Sequence, residues 1–277
     1  MLRHLTGDEA RESSVQPDRP LFGTILVPLS GLNQGWTAFE QALHLARREG
    51  SRLEGLYVAP SWTQVSGHTP RTMRSRFDRR CQEAGISGGL LIEMGDVCRK
   101  IWEQAHWADL VVLDATHCPK DQPLARLNSK FATLLRTCPK PVLAVPGAAS
   151  PAWRRALLAY DGSPKANRAL AMTRYLITSS RWRLALTMVT VLEGDRVTMD
   201  QVNEARAYLE SGGAAVDSVV TQGPVAETIL ALVAKHDSDV IIMGGYGLGS
   251  LMEIVLGSTV DQILRQSLKP VLIWRTS

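Results

Sequence analysis

Short apolar runs alternate with longer amphipathic stretches along the chain, and the alternation is clearest in the second half. Five runs have the length and the aliphatic, β-branched composition of strands. They are Ala156–Tyr160, Arg183–Val191, Val216–Thr221, Val240–Met243 and Pro270–Trp274. The stretches between them repeat their apolar residues every three or four positions, which predicts helices. These helices are Lys165–Thr178, Asp200–Leu209, Val225–His236 and Ser258–Gln266.

The pattern within these elements also predicts how they are covered. The helix over 165–178 places one set of residues on a single face, namely Ala166, Ala169, Leu170, Thr173, Leu176 and Ile177. The run at 240–243 is apolar throughout, which is typical of a parallel strand with helices on both sides. The order βαβαβαβαβ therefore predicts a doubly wound, Rossmann-like sheet. Such sheets bind ligands beyond the carboxyl ends of their strands, at the switch point.

The chain repeats itself at an almost constant interval. Four segments recur at offsets of 131, 128, 130 and 129 residues. The pairs are Thr24–Gly31 with Arg155–Gly162, Gly95–Val97 with Gly223–Val225, Ala108–Leu113 with Ser238–Met243, and Lys140–Leu143 with Lys269–Leu272. One register therefore holds over nearly the whole length, which indicates two copies of one unit.

We accordingly predict an α/β chain of two tandem, doubly wound, parallel five-stranded sheets. The expected organisation is a flexible N-terminal arm at 1–20, a first domain at 21–147 and a second domain at 153–277. Pro146–Pro151 reads as the linker between them. The terminal strands of the two halves, Pro141–Val145 and Pro270–Trp274, are candidate sheet edges. Exposed edges of this kind invite pairing with another strand.

Composition narrows the class of protein further. The net charge is only +4 over 277 residues, which gives no reason to expect a nucleic-acid-binding face. The four cysteines all lie in the first half and form no C-x-x-C pair, which fits a reducing compartment. There is neither an apolar run of membrane-spanning length nor a signal-peptide core. We therefore expect a cytoplasmic protein without membrane contact.

A glycine-rich loop after the strand at 240–243 carries the candidate chemistry. Its spacing is Gly244, two residues, Gly247, nine residues, then Gly257 and Ser258 at the start of a helix. Glycines let backbone N–H groups approach an anion closely, and a helix start adds free N–H groups and a positive dipole end. The hydroxyls of Ser258 and Thr259 add further donors. The pattern therefore predicts a phosphate cradle.

Two commoner phosphate loops do not match this chain. The P-loop needs a Gly-Lys pair, and the sequence contains none. The dinucleotide pattern G-x-G-x-x-G fails because Ser250 and Met252 stand where its last glycine would be.

The compound spacing resembles the ATP motif of the universal stress protein family, in its two-copy, tandem-domain form. The segments Asp239–Gly244, Lys269–Leu272 and Tyr160–Ser163 are similar to that family as well, and the resemblance covers residues 22–277. It implies a fold of the adenine nucleotide α-hydrolase-like type and binding of ATP, with Mg²⁺, by the second half. It also implies that Asp161 and the backbone of Val191 contact adenine. It further implies that the two terminal strands pair the halves as an internal pseudo-dimer, and we expect two chains to form a homodimer.

Residue by residue, the resemblance implies the following set of nucleotide-binding positions: Ala159, Tyr160, Asp161, Ser163, Val191, Gly223, Met243, Gly244, Gly245, Gly247, Gly249, Gly257, Ser258 and Thr259. Within this set, the residues expected at the ribose and phosphates are Gly244, Gly247, Gly257, Ser258 and Thr259. The exit of the third strand, at Gln222–Pro224, is expected to border the ribose.

The first half departs from this motif. Ser30 stands where the second half has Asp161, Asp114 where it has Gly244, and Asn128 where it has Gly257. His117 and Cys118 fall near the position of Gly247, and a carboxylate at the phosphate mouth repels an anion. We therefore expect the first half not to bind ATP in this way.

Several residues keep a second interpretation. Asp161 and Ser163 are also good caps for the helix that follows, and Tyr246 would either cover the ribose or sit at a solvent-facing tip. Asp114, His117, Cys118 and Cys138 match no zinc spacing, so no metal site is predicted.

A set of arginines falls on one predicted helix of the first half, as a solvated face or as a docking face for an acidic partner. These are Arg71, Arg74, Arg76, Arg79 and Arg80.

The leading functional hypothesis is an ATP-binding regulator or binding module in stress response. Neither a catalytic triad nor a paired-carboxylate site is present as a motif, so no catalytic residue is predicted. One alternative is a slow ATPase or self-phosphorylating protein with Ser258 or Thr259 as acceptor. Another is a nucleotide-free scaffold whose first domain binds a different small molecule.

Overall fold

A computed structural model describes residues 20–31, 35–61, 65, 67–115, 130–147, 149, 152–194, 197–245 and 259–274. The strands are β1 Thr24–Leu29, β2 Arg52–Ala59, β3 Gly88–Met94, β4 Leu110–Asp114, β5 Val142–Val145, β6 Arg155–Ala159, β7 Ala185–Leu192, β8 Val216–Gln222, β9 Val240–Gly244 and β10 Val271–Trp274. The helices are α1 Trp36–Glu49, α2 His68–Ala84, α3 Val97–Ala105, α4 Lys130–Thr137, α5 Pro164–Thr178, α6 Met199–Glu210, α7 Val225–Lys235 and α8 Thr259–Gln266.

All ten strands form one continuous sheet in the order β3-β2-β1-β4-β5-β10-β9-β6-β7-β8. Each half contributes five parallel strands, as the sequence predicts, and its strand order reverses beside its first strand. The α/β, doubly wound, Rossmann-like fold is therefore confirmed. The boundaries at 21–147 and 153–277 stay a prediction, and the arm at 1–20 falls, except for Pro20, outside the residues that the structure describes.

Helices cover both faces of the sheet and divide the core into two layers. One layer holds α1, α2, α5 and α6, and the other holds α3, α4, α7 and α8. The six residues predicted on the inner face of α5 are the six that the structure buries there. This agreement follows from the helical period, because residues three and four apart share one face.

The two halves meet where β5 and β10 pair in antiparallel fashion, which is the only antiparallel pairing between described strands. The register places Val142–Ala144 opposite Val271–Ile273, and all six side chains are buried. The expected pairing of these two terminal strands is therefore observed. It removes two sheet edges that would otherwise expose unpaired backbone groups.

A second contact between the halves is polar and centres on the C-terminal end of α1. The Arg48 guanidinium donates to the carbonyls of Arg181 at 2.7 Å, Trp153 at 2.9 Å and Trp182, and it stacks 4.5 Å from the Trp182 ring centroid. Burial lowers the pKa of Arg48, although the neighbouring Glu49 carboxylate opposes this shift. One side chain of the first half thus satisfies three carbonyls of the second.

Glu49 completes this junction from the next position of the chain. Its side chain is 1% exposed and accepts hydrogen bonds from the Trp182 indole and from the backbone N–H of Leu21. The indole of Trp182 lies against Trp153, with ring centroids 5.4 Å apart. A carboxylate this deeply buried is stable only while its hydrogen-bond donors stay in place.

We predict that Arg48→Ala lowers the free energy of unfolding by about 3 kcal/mol, because three partly buried carbonyls lose a charged donor. Urea unfolding followed by circular dichroism measures the loss. Arg52→Ala is the matched control. Its exposed ion pair with Glu54 spans 3.4 Å within the first half, so it should cost less than about 1 kcal/mol. Equal losses in the two variants would contradict a role for Arg48 at the junction.

Candidate functional site

The carboxyl end of β6 leads into a tight turn that starts α5. Gly162 adopts a φ of +73°, and a Cβ there would lie 3.1 Å from Val197 Cγ2. Ser163 caps the helix, since its Oγ accepts from the Ala166 N–H at 3.2 Å. Asp161 is exposed, and its Oδ1 accepts from the Ser163 N–H at 3.0 Å. The cap is therefore Ser163, while Asp161 shapes the turn and keeps an exposed carboxylate at the strand end.

The end of β9 lies directly against the start of α5. A Cβ on Gly244 would come within 2.8 Å of the Ala166 nitrogen and 2.9 Å of the Lys165 carbonyl carbon. Any side chain at this position would force the strand end and the helix start apart. Glycine is thus required here for a close backbone approach, and the first turn of α5 is brought to the switch point between β6 and β9.

Three apolar residues of the predicted set share one side of the sheet. Ala159, Val191 and Met243 all belong to the layer covered by α7 and α8. Ala159 pairs across the sheet with Met243 on one side and with Val189 on the other. Together they form an apolar wall near the carboxyl ends of β6, β7 and β9. Such a wall with a few polar groups at its rim is typical of a small-molecule pocket.

Gly223 lies immediately beyond the carboxyl end of β8, which is the outermost strand of the second half. Its φ is +135°, and a Cβ would lie 2.9 Å from Thr228 Oγ1 at the start of α7. Its backbone conformation and this close contact both disfavour a side chain. The parallel order therefore brings Asp161, Val191, Gly223 and Gly244 to the same edge of the sheet.

Tyr160 is placed differently from the rest of the predicted set. Its ring is buried in the layer of α5 and α6, and its hydroxyl donates to Asn167 Oδ1 at 2.8 Å. Burial raises the pKa of this phenol, and the negative charges of Asp161 and Glu204 raise it further. Strand residues alternate between faces, so Tyr160 points opposite to Ala159. Only its backbone remains near the site.

The loop of the predicted phosphate cradle is only partly described. Gly245 is buried, and its N–H donates to the Trp274 carbonyl. Thr259 is the first residue of α8 and is half-buried. The remaining residues of this loop that the sequence singles out lie outside the described residues, namely Tyr246, Gly247, Gly249, Gly257 and Ser258.

In the first half, a carboxylate occupies the position that corresponds to Gly244. Asp114 ends β4, and its Oδ2 accepts from the N–H of Gly35 at 3.0 Å. Gly35 is the N-cap of α1 and adopts a φ of +82°, without a side-chain cap of its own. A negative charge at a helix N-terminus is favourable. The first half therefore places a carboxylate at the end of β4, where the second half has Gly244 and caps its helix start with Ser163 instead.

Sequence reasoning identified Asp114 as a departure from the motif but missed its contact with Gly35. The connection between β1 and α1 is longer than the one between β6 and α5, which makes room for a side chain between strand end and helix start. The available signal was a charged residue directly after a buried strand. A carboxylate there needs a donor, and a helix N-terminus is the nearest one on topological grounds.

Other site types find little support in the part of the chain that the structure covers. No group of three or more His, Cys, Asp or Glu side chains there could hold a metal ion. Cys81, Cys98 and Cys138 are not in disulfide bonds, while His117 and Cys118 fall outside the described residues. No helix among the described residues is long and apolar enough to cross a membrane.

Comparison with known families gives a match to the family model described as the universal stress protein family, over residues 21–146 and 177–275. The match leaves out 147–176, where β6, Asp161 and most of α5 lie. A universal stress protein of Synechocystis sp., Slr1230, is 30% identical over 152 residues, which cover 54% of this chain and 52% of that protein. One from Thermus aquaticus is 31% identical over 132 residues, covering 43% of this chain and 96% of that protein. This chain thus spans about half the length of Slr1230.

Solved structures share the fold over nearly the whole chain. A universal stress protein from Archaeoglobus fulgidus superposes with a TM-score of 0.73 at 19% identity, covering 93% of this chain and 97% of that chain. The protein PA1789 from Pseudomonas aeruginosa, described as functionally unknown, superposes with a TM-score of 0.68 at 19% identity, covering 92% of each chain.

We predict that Gly244→Ala lowers the free energy of unfolding by about 2 kcal/mol, because the new methyl group meets backbone atoms that cannot move independently. Gly89→Ala is a matched control. Gly89 also lies in a strand, but nothing comes within 4 Å of an added Cβ there. Thermal and urea unfolding of both variants compare the two costs, and an unchanged stability of Gly244→Ala would contradict the close approach.

We also predict that Asp114→Ala lowers the free energy of unfolding by about 1 kcal/mol, since α1 loses the carboxylate that accepts from its N-cap. Asp114→Asn keeps an oxygen acceptor but no charge, so its loss should be smaller. Both can be measured by urea unfolding at low and high salt, because salt screens the charge but spares the hydrogen bond. A fully stable Asp114→Ala protein would show that the contact contributes nothing.

Proposed function

Because the chain belongs to the universal stress protein family, we propose that its second half binds an adenine nucleotide and that the protein works as a stress-response regulator. The nucleotide in the working state is ATP with Mg²⁺. Its binding, rather than its turnover, carries the function. The site lies at the carboxyl ends of β6, β7, β8 and β9.

One observation supports the second half in particular. The switch point between β6 and β9 presents the start of α5 against Gly244, whereas the corresponding switch point of the first half is filled by the Asp114 carboxylate. A carboxylate at the end of β4 repels an anionic ligand, whereas Gly244 places no charge at the end of β9. The two copies therefore differ in a way that favours nucleotide binding by the second and not the first.

The described residues fit the parts of a nucleotide. The apolar wall of Ala159, Val191 and Met243 offers a surface for the flat adenine ring. The exposed Asp161 carboxylate would accept hydrogen bonds from polar groups of the base or sugar. Thr259, at the N-terminus of α8, would donate its hydroxyl and backbone N–H toward phosphate oxygens. Mg²⁺, when bound with ATP, would neutralise part of the phosphate charge.

The sequence predicts further properties that stay predictions: a cytoplasmic location, a homodimer, and no contact with nucleic acid or membrane. In the family this resemblance points to, the last strand of each unit pairs two units. Here β5 and β10 already use that strand within one chain. A homodimer would therefore need a different surface, and sedimentation of the purified protein would report its mass.

The test of the proposed function is isothermal titration calorimetry of the full chain with Mg-ATP. We predict one nucleotide per chain. Asp161→Ala should weaken binding about tenfold, as expected for the loss of one hydrogen bond to a charged group. Ser30→Ala changes the corresponding residue of the first half and serves as the matched control, with unchanged affinity expected. EDTA should weaken ATP binding by removing the Mg²⁺.

Three results would count against the proposal. The absence of any heat of binding, at protein concentrations that detect a weak site, would remove it altogether. Two nucleotides per chain would show that Asp114 does not exclude the ligand from the first half. Equal weakening by Ser30→Ala and Asp161→Ala would place the site elsewhere.

A further inference from the structure

One lateral edge of the ten-stranded sheet is formed by β3, and no described strand pairs with its outer side. The Leu53 N–H bonds the Ser87 carbonyl, which fixes which backbone groups of β3 face β2. In a parallel pair, alternate residues point their N–H and C=O groups to the same side. The backbone groups of Leu90 and Ile92 therefore point outward, where an added strand could meet them.

A groove of about 340 Å³ lies beside this edge, between β3 and the start of α2. It is lined by Val65, Pro70, Arg71, Arg74 and Ile92. Three of these residues give it an apolar part, and the two arginines stand one helical turn apart at its rim. The groove is large enough for one or two side chains of a partner that lies along β3.

The two rim arginines lack acidic partners in the described part of the chain. Arg74 makes one long hydrogen bond, of 3.3 Å, to the outward carbonyl of Leu90. The other arginines of α2 are engaged elsewhere. Arg76 stacks 3.8 Å from the Trp36 ring centroid, Arg79 pairs with Glu83, and Arg80 pairs with Glu40. The positive charge at the groove is thus available to an external carboxylate.

The opposite edge of the sheet shows that the positive charge beside β3 is not a general property of the fold. β8 forms that edge, and the helix in the corresponding position is α6. α2 carries five arginines against Asp78 and Glu83, a net charge of +3. α6 carries Arg206 against Asp200, Glu204 and Glu210, a net charge of −2. Only the β3 edge therefore combines free strand groups with a basic groove.

We propose that the β3 edge binds an extended acidic segment of another protein as an added strand. The backbone of that segment pairs with the outward groups of Ile92, and one of its carboxylates lies between Arg71 and Arg74. Main-chain hydrogen bonds supply affinity and the side-chain groove supplies specificity, as in other cases of strand addition. This site is separate from the nucleotide site, and the proposal stands without it.

The test uses the full chain and a fluorescein-labelled eight-residue peptide that alternates glutamate and valine, with fluorescence anisotropy as the readout. A peptide alternating lysine and valine is the control ligand. The double variant Arg71→Ala, Arg74→Ala should weaken binding of the acidic peptide about tenfold. The double variant Arg79→Ala, Arg80→Ala removes the same charge from the same helix and should leave affinity within about twofold.

Hydrogen exchange then separates strand addition from simple charge attraction. With saturating acidic peptide, amides of 88–94 should exchange more slowly, while those of β8 at 216–222 stay unchanged. The measurement needs no substitution in β3, so it does not depend on a variant that fails to fold.

Four outcomes would overturn the proposal. They are equal affinity for the lysine peptide, equal losses in the two double variants, unchanged exchange over 88–94, and displacement of the peptide by millimolar inorganic phosphate without exchange protection. The last result would show a small-anion site instead of strand addition. Slower exchange over 88–94, together with weaker peptide binding in the Arg71, Arg74 variant alone, would establish strand addition.

Discussion

The antiparallel pairing of β5 with β10 determines how everything else in the molecule is arranged. Within each half the strands are parallel, so this single reversal turns the second half against the first. The carboxyl ends of β1 and β4 therefore face one end of the sheet, and those of β6 and β9 face the other. The switch points of the two repeats therefore lie at opposite ends of the sheet, so a ligand at one switch point does not obstruct the other.

The junction depends on more than the two strands. The C-terminal end of α1 contributes Arg48 and Glu49, which meet the chain just beyond α5 at Arg181 and Trp182. The N-terminal ends of the same two helices lie at the two switch points, beside Asp114 and Gly244. Each candidate pocket is thus connected to the junction by one continuous helix.

Much of the fold was predictable from the sequence because it follows local periodicity. The inner face of α5 and the strands of the second half come directly from spacing. Contacts between distant residues were not predictable in this way. Arg48 meets Trp182 across 134 positions, and Asp114 meets Gly35 across 79. No local pattern marks an arginine as the donor to three distant carbonyls, because its surroundings are assembled only when the halves dock.

At the candidate site, the sequence predicted which strand ends lie together, but it did not predict the direction of every side chain. Asp161, Val191, Gly223 and Gly244 come to one edge because parallel strands end together. Tyr160 was included with them, yet its ring lies in the core beside Asn167. Consecutive residues of an extended segment point to opposite sides of a sheet, so the side chains of Ala159 and Tyr160 cannot both face one pocket.

The shared β5–β10 ladder also bears on dividing the chain at its linker. Fragments cut between 147 and 152 would each expose a flat, fully apolar strand with unsatisfied amides, and Arg48 would lose its three acceptors. We expect such fragments to be unstable as independent monomers. Produced together, they would instead recombine by complementation, which a native mass of the co-purified pair would reveal. The two repeats therefore depend on each other to complete the sheet.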